Sequence, residues 1–113
     1  MTSSTVSKTD AIRDLNDAFR GSFIGGAVVV TAGIEALSPE QRRSLLAKVR
    51  EFADFTPDND PHGEHDFGAI EEGDLRCFWK IDYYDRDMAM HSPDAADPSV
   101  ATRVLTVMLA EEY

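Results

Sequence analysis

The chain has 113 residues, of which 42% are hydrophobic and 28% are charged, and 21 acidic residues against 11 basic ones give a net charge of −10. These values predict one globular domain that folds without a structural metal, and the single cysteine, Cys77, excludes an internal disulfide. The negative charge disfavours direct binding to nucleic acid. The sequence contains neither an apolar run long enough for a membrane span nor a secretory signal, so we expect a cytoplasmic protein.

The negative charge is concentrated in one part of the chain. Residues 1–50 carry a net charge of +2, residues 51–97 carry fourteen acids against three bases for a net −11, and the remainder carries −1. Turn and cap positions favour aspartate for backbone reasons, so a solvated face explains part of this pattern. The other explanation is a negative surface that is offered to a basic partner.

The N-terminal residues predict a tail, a helix and a strand. We expect residues 1–9 to form a flexible polar tail and residues 10–113 to form a single domain. Ile12, Leu15 and Phe19 have helical spacing, which predicts a short amphipathic helix. The β-branched run AVVVT that follows Gly26 predicts a strand that is buried on both faces.

A second helix is indicated by its start signal. Residues 38–41 read Ser-Pro-Glu-Gln, which is a capping box with proline at the first helical position. Leu45, Leu46 and Val49 form its apolar face. The helix should end before Pro57, and the sequence from residue 56 to 65 has loop composition.

The C-terminal half predicts a hairpin and a last helix. Two β-rich segments, residues 67–72 and 75–84, flank a Gly-Asp turn. Asp97 followed by Pro98 resembles a helix N-cap, and the apolar residues after them predict a heavily buried C-terminal helix. The expected fold is therefore α+β, with a small, mainly antiparallel three-stranded sheet packed by three helices in the order α-β-α-β-β-α. The residues of the second hairpin arm that should face the core are Leu75, Cys77, Trp79, Ile81 and Tyr83.

Four sequence blocks resemble a known family. They are TPDNDPHGEHDFG (56–68), FWKIDYYDRD (78–87), SPDAADP (92–98) and RVLTVMLAEEY (103–113). Over roughly residues 10–113 they are similar to an uncharacterised bacterial domain family that is common in alphaproteobacteria and on their plasmids and other mobile elements. The resemblance implies a single domain and a mobile-element context, and it implies no activity. It nominates Asp58, Asn59, Asp60, His62, Glu64, His65, Asp66, Lys80, Asp82 and Asp85.

The loop at residues 56–66 supports a role in partner binding, a metal site or a purely structural role. His62, Glu64, His65 and Asp66 carry nitrogen and oxygen donors suited to a divalent metal, although their spacing matches no established metal motif. In the alternative interpretation, the Asp and Asn side chains satisfy backbone N–H groups in consecutive turns. The histidines then close the loop onto the hairpin.

The evidence for catalysis is weak. Lys80 beside Asp82 and Asp85 suits general acid–base chemistry, but such sets are more often surface ion pairs. Cys77 has apolar neighbours on its own face, which predicts a buried, unreactive thiol. We therefore favour a non-enzymatic role and expect no cofactor unless the loop binds a divalent metal.

The favoured hypothesis is a small protein-binding module borne by a mobile element. Its acidic surface would imitate phosphates and inhibit a host nucleic-acid-handling or defence protein, as anti-CRISPR and anti-restriction proteins do. The alternative is a metal-binding protein or metal-dependent hydrolase centred on the loop. A basic side of the second helix complements the acidic half, which also allows a homodimer. The expected partner-binding residues are Asp58, Asp60, Glu64, Glu71, Glu72, Asp74, Asp82, Asp85 and Asp87.

Overall fold

A computed structural model describes residues 7–113, in which the α-helices precede every strand but the first. The expected tail lies mostly outside these described residues, and Ser7 already caps the first helix by accepting a hydrogen bond from the Asp10 N–H at 3.1 Å. The elements in chain order are α1 (Lys8–Ser22), β1 (Gly26–Val30), α2 (Ala32–Glu35), α3 (Pro39–Glu51), β2 (Phe67–Glu72), β3 (Leu75–Tyr84), β4 (Thr102–Leu109) and a terminal 3₁₀ turn, Ala110–Glu112.

The sheet in the described residues has four strands in the order β1-β4-β3-β2. β1 is parallel to β4, whereas β4 with β3 and β3 with β2 are antiparallel. The α+β class and the hairpin are therefore confirmed. The expected three-stranded sheet was one strand short.

The missing strand is the segment that we expected to be the C-terminal helix, and that expectation was wrong. This segment is an interior strand of the sheet, and it has buried side chains on both faces, Leu105 and Val107 on one and Val104 and Met108 on the other. A short, continuously apolar segment has the same periodicity in a central strand and in a buried helix. Its β-branched residues Val104, Thr106 and Val107 favour the strand. Asp97 caps a turn instead, and its carboxylate accepts the Ser99 N–H at 2.9 Å.

The helix start at Ser38 is confirmed in detail. The Ser38 hydroxyl accepts the N–H of Gln41 at 3.1 Å, and the Gln41 side chain accepts the N–H of Ser38 at 3.0 Å. α3 ends at Glu51, ahead of the expected boundary at Pro57. The one-turn helix α2 was not predicted.

The helices cover one face of the sheet. The strand residues in this core alternate along each strand, as a single face requires. Cys77 and Trp79 are buried there, as the hairpin pattern predicted. The buried core consists of Phe19, Ile34, Leu45, Val49, Ile70, Cys77, Trp79, Ile81, Leu105 and Val107.

β1 does not lie where the sequence placed it. We expected a strand buried on both faces, but β1 forms one edge of the sheet and Val29 is 45% exposed. An uncharged, β-branched run is typical of a central strand. The exposure of β1, an uncharged strand at the edge of the sheet, therefore needs its own explanation.

Among residues 7–113, none of the helices combines the length and apolarity that crossing a membrane requires.

Replacing Leu105 by alanine tests the position of β4. Leu105 is fully buried between β1 and β3, so we expect a loss of about 2–5 kcal/mol in the free energy of unfolding. Urea denaturation measures this loss. Val29→Ala is the control on the exposed edge, and it should cost less than about 1 kcal/mol. Equal losses for both variants would contradict the placement of β4 in the centre of the sheet.

Candidate functional site

The loop between α3 and β2 is held by its own side chains. The Asn59 side chain accepts the Thr56 N–H at 2.8 Å and donates to the Asp54 carbonyl at 2.9 Å. The Asp60 carboxylate accepts the His65 N–H at 3.3 Å. These bonds match the interpretation in which Asn and Asp side chains satisfy backbone donors in consecutive turns.

His65 fastens this loop to α1. Its Nδ1 lies 2.8 Å from Asp17 Oδ1 and donates to it, because a carboxylate has only acceptors to offer. Its Nε2 lies 3.5 Å from Asp60 Oδ2, and its ring stacks on Phe55 with centroids 3.7 Å apart. We expected the histidines to close the loop onto the hairpin, whereas His65 closes it onto a helix.

Arg20 extends this contact into the core. Its Nε donates to the Val49 carbonyl at 3.1 Å and its Nη2 to the Phe52 carbonyl at 2.9 Å, which satisfies acceptors at the end of α3. The guanidinium lies over the Trp79 ring, 4.9 Å from the centroid, and pairs with Asp17 at 3.3 Å. Asp17 is therefore shared between Arg20 and His65.

A fully buried amide, Asn16, lies next to this cluster. Its Nδ2 donates to the Glu64 carbonyl at 2.9 Å and to the Tyr83 hydroxyl at 2.8 Å. Its Oδ1 accepts from Arg103 Nε at 2.7 Å. No role for Asn16 or Arg103 could be inferred from the sequence. The available signal was a polar residue at position 16 inside the apolar stripe that Ile12 and Phe19 define.

Three carboxylates approach one another at the rim of this network. Burial raises the pKa of Glu64, and repulsion from Asp66 raises it further. Burial likewise raises the pKa of Asp66, with repulsion from Asp60 as the second cause. Within residues 7–113, neither Glu64 nor Asp66 forms an ion pair with a basic side chain. We call Asp60, Glu64 and Asp66 the carboxylate cluster.

Tyr83 separates the cluster from the interior. Its hydroxyl donates to Asp66 Oδ2 at 3.5 Å and accepts from Asn16. Burial raises the pKa of this phenol, which keeps it protonated at neutral pH. It therefore acts as a fixed hydrogen-bond donor.

The expected partner-binding residues fall into two groups, those that are buried or bonded within the fold and those that are exposed to solvent. Asp60 is 7% exposed, Glu72 pairs with Lys48 at 2.9 Å, and Asp82 pairs with Lys80 at 3.2 Å. Asp85 accepts the Ala89 N–H at 3.0 Å. Glu64 is partly buried in the cluster. The exposed members are Asp58, Glu71, Asp74 and Asp87.

These exposed acids do not form one continuous patch. Asp74 lies in the turn at one end of the hairpin, and Asp87 follows the opposite end of β3. A ten-residue strand is about 33 Å long, so the two carboxylates lie far apart. The acidity of residues 51–97 is spread along the hairpin.

The nominated metal ligands are not gathered around one point. His65 is engaged with Asp17 and Asp60, and His62 is exposed. In the part of the chain that the structure describes, no three His, Cys, Asp or Glu side chains are placed to hold one ion.

The Lys80–Asp82 pair and the Cys77 thiol were both considered for catalysis, and each lies in an environment that is typical of a structural role. Lys80 and Asp82 form a half-exposed ion pair. Burial raises the pKa of the Cys77 thiol, which disfavours the thiolate that a nucleophile requires. The His91 ring stacks on Tyr84 at the end of β3.

Comparison with known proteins gives one match. A family model described as "Protein of unknown function (DUF3768)" matches residues 30–112. This range contains nearly all of the four sequence blocks, which confirms the resemblance to a domain family of unknown function. α1, which supplies Asn16, Asp17 and Arg20, lies outside the matched range. No curated protein and no solved structure matches the chain.

Neutralising the carboxylate cluster should stabilise the chain at neutral pH. The folded-state pKa values of Glu64 and Asp66 lie above their ordinary values of 4.5 and 3.8, so the folded state holds protons that the unfolded state has lost. Stability from these groups is therefore greatest at low pH and declines as the pH rises above those values. Glu64→Gln and Asp66→Asn remove this decline.

Thermal unfolding between pH 4 and pH 7 measures the effect. We expect higher melting temperatures for both variants at pH 7 and a smaller difference from the native chain at the acidic end. Asp74→Asn, in the exposed turn, is the matched control and should change stability by less than about 0.5 kcal/mol. A lower melting temperature at pH 7 for both cluster variants would show that these carboxylates stabilise the fold.

Metal addition tests the alternative function directly. Because His65 is already bound to two carboxylates, we expect zinc, manganese and calcium ions to leave the melting temperature unchanged. The protein is purified without an affinity tag or chelator, and its metal content is measured first. Stabilisation that increases with metal concentration, and that His62→Ala abolishes, would reinstate the metal site.

Proposed function

The chain belongs to the DUF3768 family of proteins of unknown function, and we propose that it is a non-enzymatic module that binds a basic surface of another protein. The mechanism is electrostatic. Carboxylates held in fixed positions take the place of phosphates and compete for lysine and arginine clusters.

The observation that carries this proposal is the lack of internal compensation for the acidic segment. Of the fourteen acids in residues 51–97, those in ion pairs with Lys or Arg of the described chain are Glu72, Asp82 and Asp94. The four expected partner-binding acids that are exposed, Asp58, Glu71, Asp74 and Asp87, form no ion pair within the described residues. Burial raises the pKa values of Glu64 and Asp66, and repulsion from Asp66 and Asp60 respectively adds to it; a surface whose role was only solvation would gain nothing from holding two carboxylates in this way.

The acidic loop is also preorganised, which supports binding. Asn59 and Asp60 fix the turns, His65 ties the loop to α1, and Asn16 holds the Glu64 carbonyl. A partner therefore meets carboxylates whose backbone is already ordered. Preordering lowers the entropy that association would otherwise lose.

The partner class that fits this chemistry is a nucleic-acid-handling protein. Its binding groove presents Lys and Arg side chains at phosphate positions, and a rigid acidic hairpin competes for them. An inhibitor of a host defence protein, of the anti-CRISPR or anti-restriction kind and carried by a mobile element, is the biological form that we propose. Binding of this kind is fast and sensitive to salt.

Affinity capture from the producing bacterium, with mass spectrometry, tests the proposal. The full chain is immobilised, and retained proteins are compared at low, physiological and high salt with and without added duplex DNA or RNA. We expect a retained nucleic-acid-binding protein that both salt and nucleic acid displace. A partner whose retention neither treatment changes would overturn phosphate mimicry.

Two variants of equal net charge provide the control. The first replaces Asp58, Glu71, Asp74 and Asp87 by the corresponding amides, and the second does the same at Asp14, Glu35, Glu40 and Glu111, which are also exposed. Only the first should lose the partner. Equal loss from both variants would show that total charge, not the hairpin and its loops, controls retention.

A further inference from the structure

The two edges of the sheet differ in their protection. β2 carries Glu71 and Glu72 at its end, and Asp54 and Asn59 border the same cleft as its residue Ala69. Charged residues and a flanking loop are the usual means by which an edge strand avoids further pairing. The β2 edge is therefore protected against pairing with a further strand.

β1 has none of these protections. Its sequence GAVVV contains neither a charge nor a proline, and the whole segment from residue 21 to 34 is free of charged side chains. Val29 is 45% exposed and Ile24, just before the strand, is 78% exposed. No strand in residues 7–113 lies beyond β1. An edge that is apolar and uncharged is a template for another strand.

The direction of the free backbone groups follows from one hydrogen bond. Thr31 donates its N–H to the Val107 carbonyl at 3.1 Å, so the backbone groups of Thr31 face β4. Direction alternates along a strand, and Val29 and Ala27 therefore face β4 as well. The N–H and C=O groups of Gly26, Val28 and Val30 point outward from the sheet.

We propose that β1 pairs antiparallel with β1 of a second copy of this chain, about a two-fold axis at Val28. Val28 then lies opposite the same residue of the second copy, and Gly26 lies opposite Val30. Each is a hydrogen-bonded pair because all three residues have outward backbone groups. The arrangement is self-complementary, as a closed two-fold dimer requires, and it joins two sheets into one.

The distribution of charge favours a second copy of this chain as the partner of β1. Each chain carries −10, so most faces of two copies repel each other, and pairing through β2 would add four carboxylates, Glu71 and Glu72 of each copy, to the contact. β1 itself contributes no acid to the contact, and the Glu112 carboxylate just beyond its end is held within its own chain by hydrogen bonds from the Thr31 hydroxyl and the Gly33 N–H. This dimer differs from the one expected from the sequence, in which a basic helix meets an acidic hairpin. Lys48 of that helix already pairs with Glu72 of its own chain.

The expected affinity is modest. Five paired residues bury less surface than a standard protein interface, so the dimer should form and dissociate with concentration. Sedimentation velocity of the full chain from low to high micromolar concentration is the first measurement. A monomer at every concentration would overturn the proposal.

Two lysine variants test which edge is used. Val29→Lys places a charge on the exposed side of β1, and Ala69→Lys places the same charge on the same face of the sheet at the opposite edge. Val29→Lys should abolish the dimer, while Ala69→Lys should leave it intact. Circular dichroism confirms folding of both. A dimer that survives Val29→Lys would overturn the proposal.

Amide exchange and cross-linking test the register. The N–H groups of Val28 and Val30 should become protected as concentration rises, whereas that of Val29 is protected even in the monomer because it faces β4. Val28→Cys should form a disulfide-linked dimer, because directly opposed Cα atoms are about 5.5 Å apart. Val29→Cys should not, because its diagonal partner is about 7–8 Å away. Rapid exchange at Val28 and Val30 in the dimer, or preferential cross-linking at Val29, would overturn the register.

Discussion

The arrangement of the loop, the hairpin and α1 depends on one buried amide. Asn16 has no exposed surface, and its three hydrogen bonds reach the Glu64 carbonyl, the Tyr83 hydroxyl and the Arg103 guanidinium. These partners belong to the loop, to β3 and to β4. A buried network of this kind is stabilising only when every member is satisfied, and Arg103 completes it by donating to the Ala95 carbonyl. The carboxylate cluster keeps its geometry because its backbone is anchored at this amide.

Local chemistry made several elements predictable. The capping box at Ser38, the Gly-Asp turn of the hairpin and the alternation in β3 are each determined by residues a few positions apart. β4 and the edge position of β1 are determined by pairing between distant segments. Apolarity alone predicted burial of the last segment correctly, but it could not distinguish a central strand from a buried helix.

The sequence predicted which residues the candidate site contains, but it did not predict which of them contact one another. The sequence indicated a loop with clustered histidines and carboxylates, and it suggested that Asn and Asp side chains hold the turns. It gave no sign that His65 bridges Asp17 and Asp60, because that contact joins positions 48 residues apart. Nor did it separate the acids that the fold uses internally, such as Glu72, from exposed ones such as Asp74.

The parallel pairing of β1 with β4 also affects how the chain folds during synthesis. Gly26 pairs with Arg103, so the first strand finds its neighbour only after nearly the whole chain has been made. At about 5–20 residues per second, that interval lasts several seconds. Throughout it both edges of β1 are unpaired, and its sequence carries no charge to discourage contact with other nascent chains. The nascent chain is therefore open to pairing with other chains before its own β4 has been made.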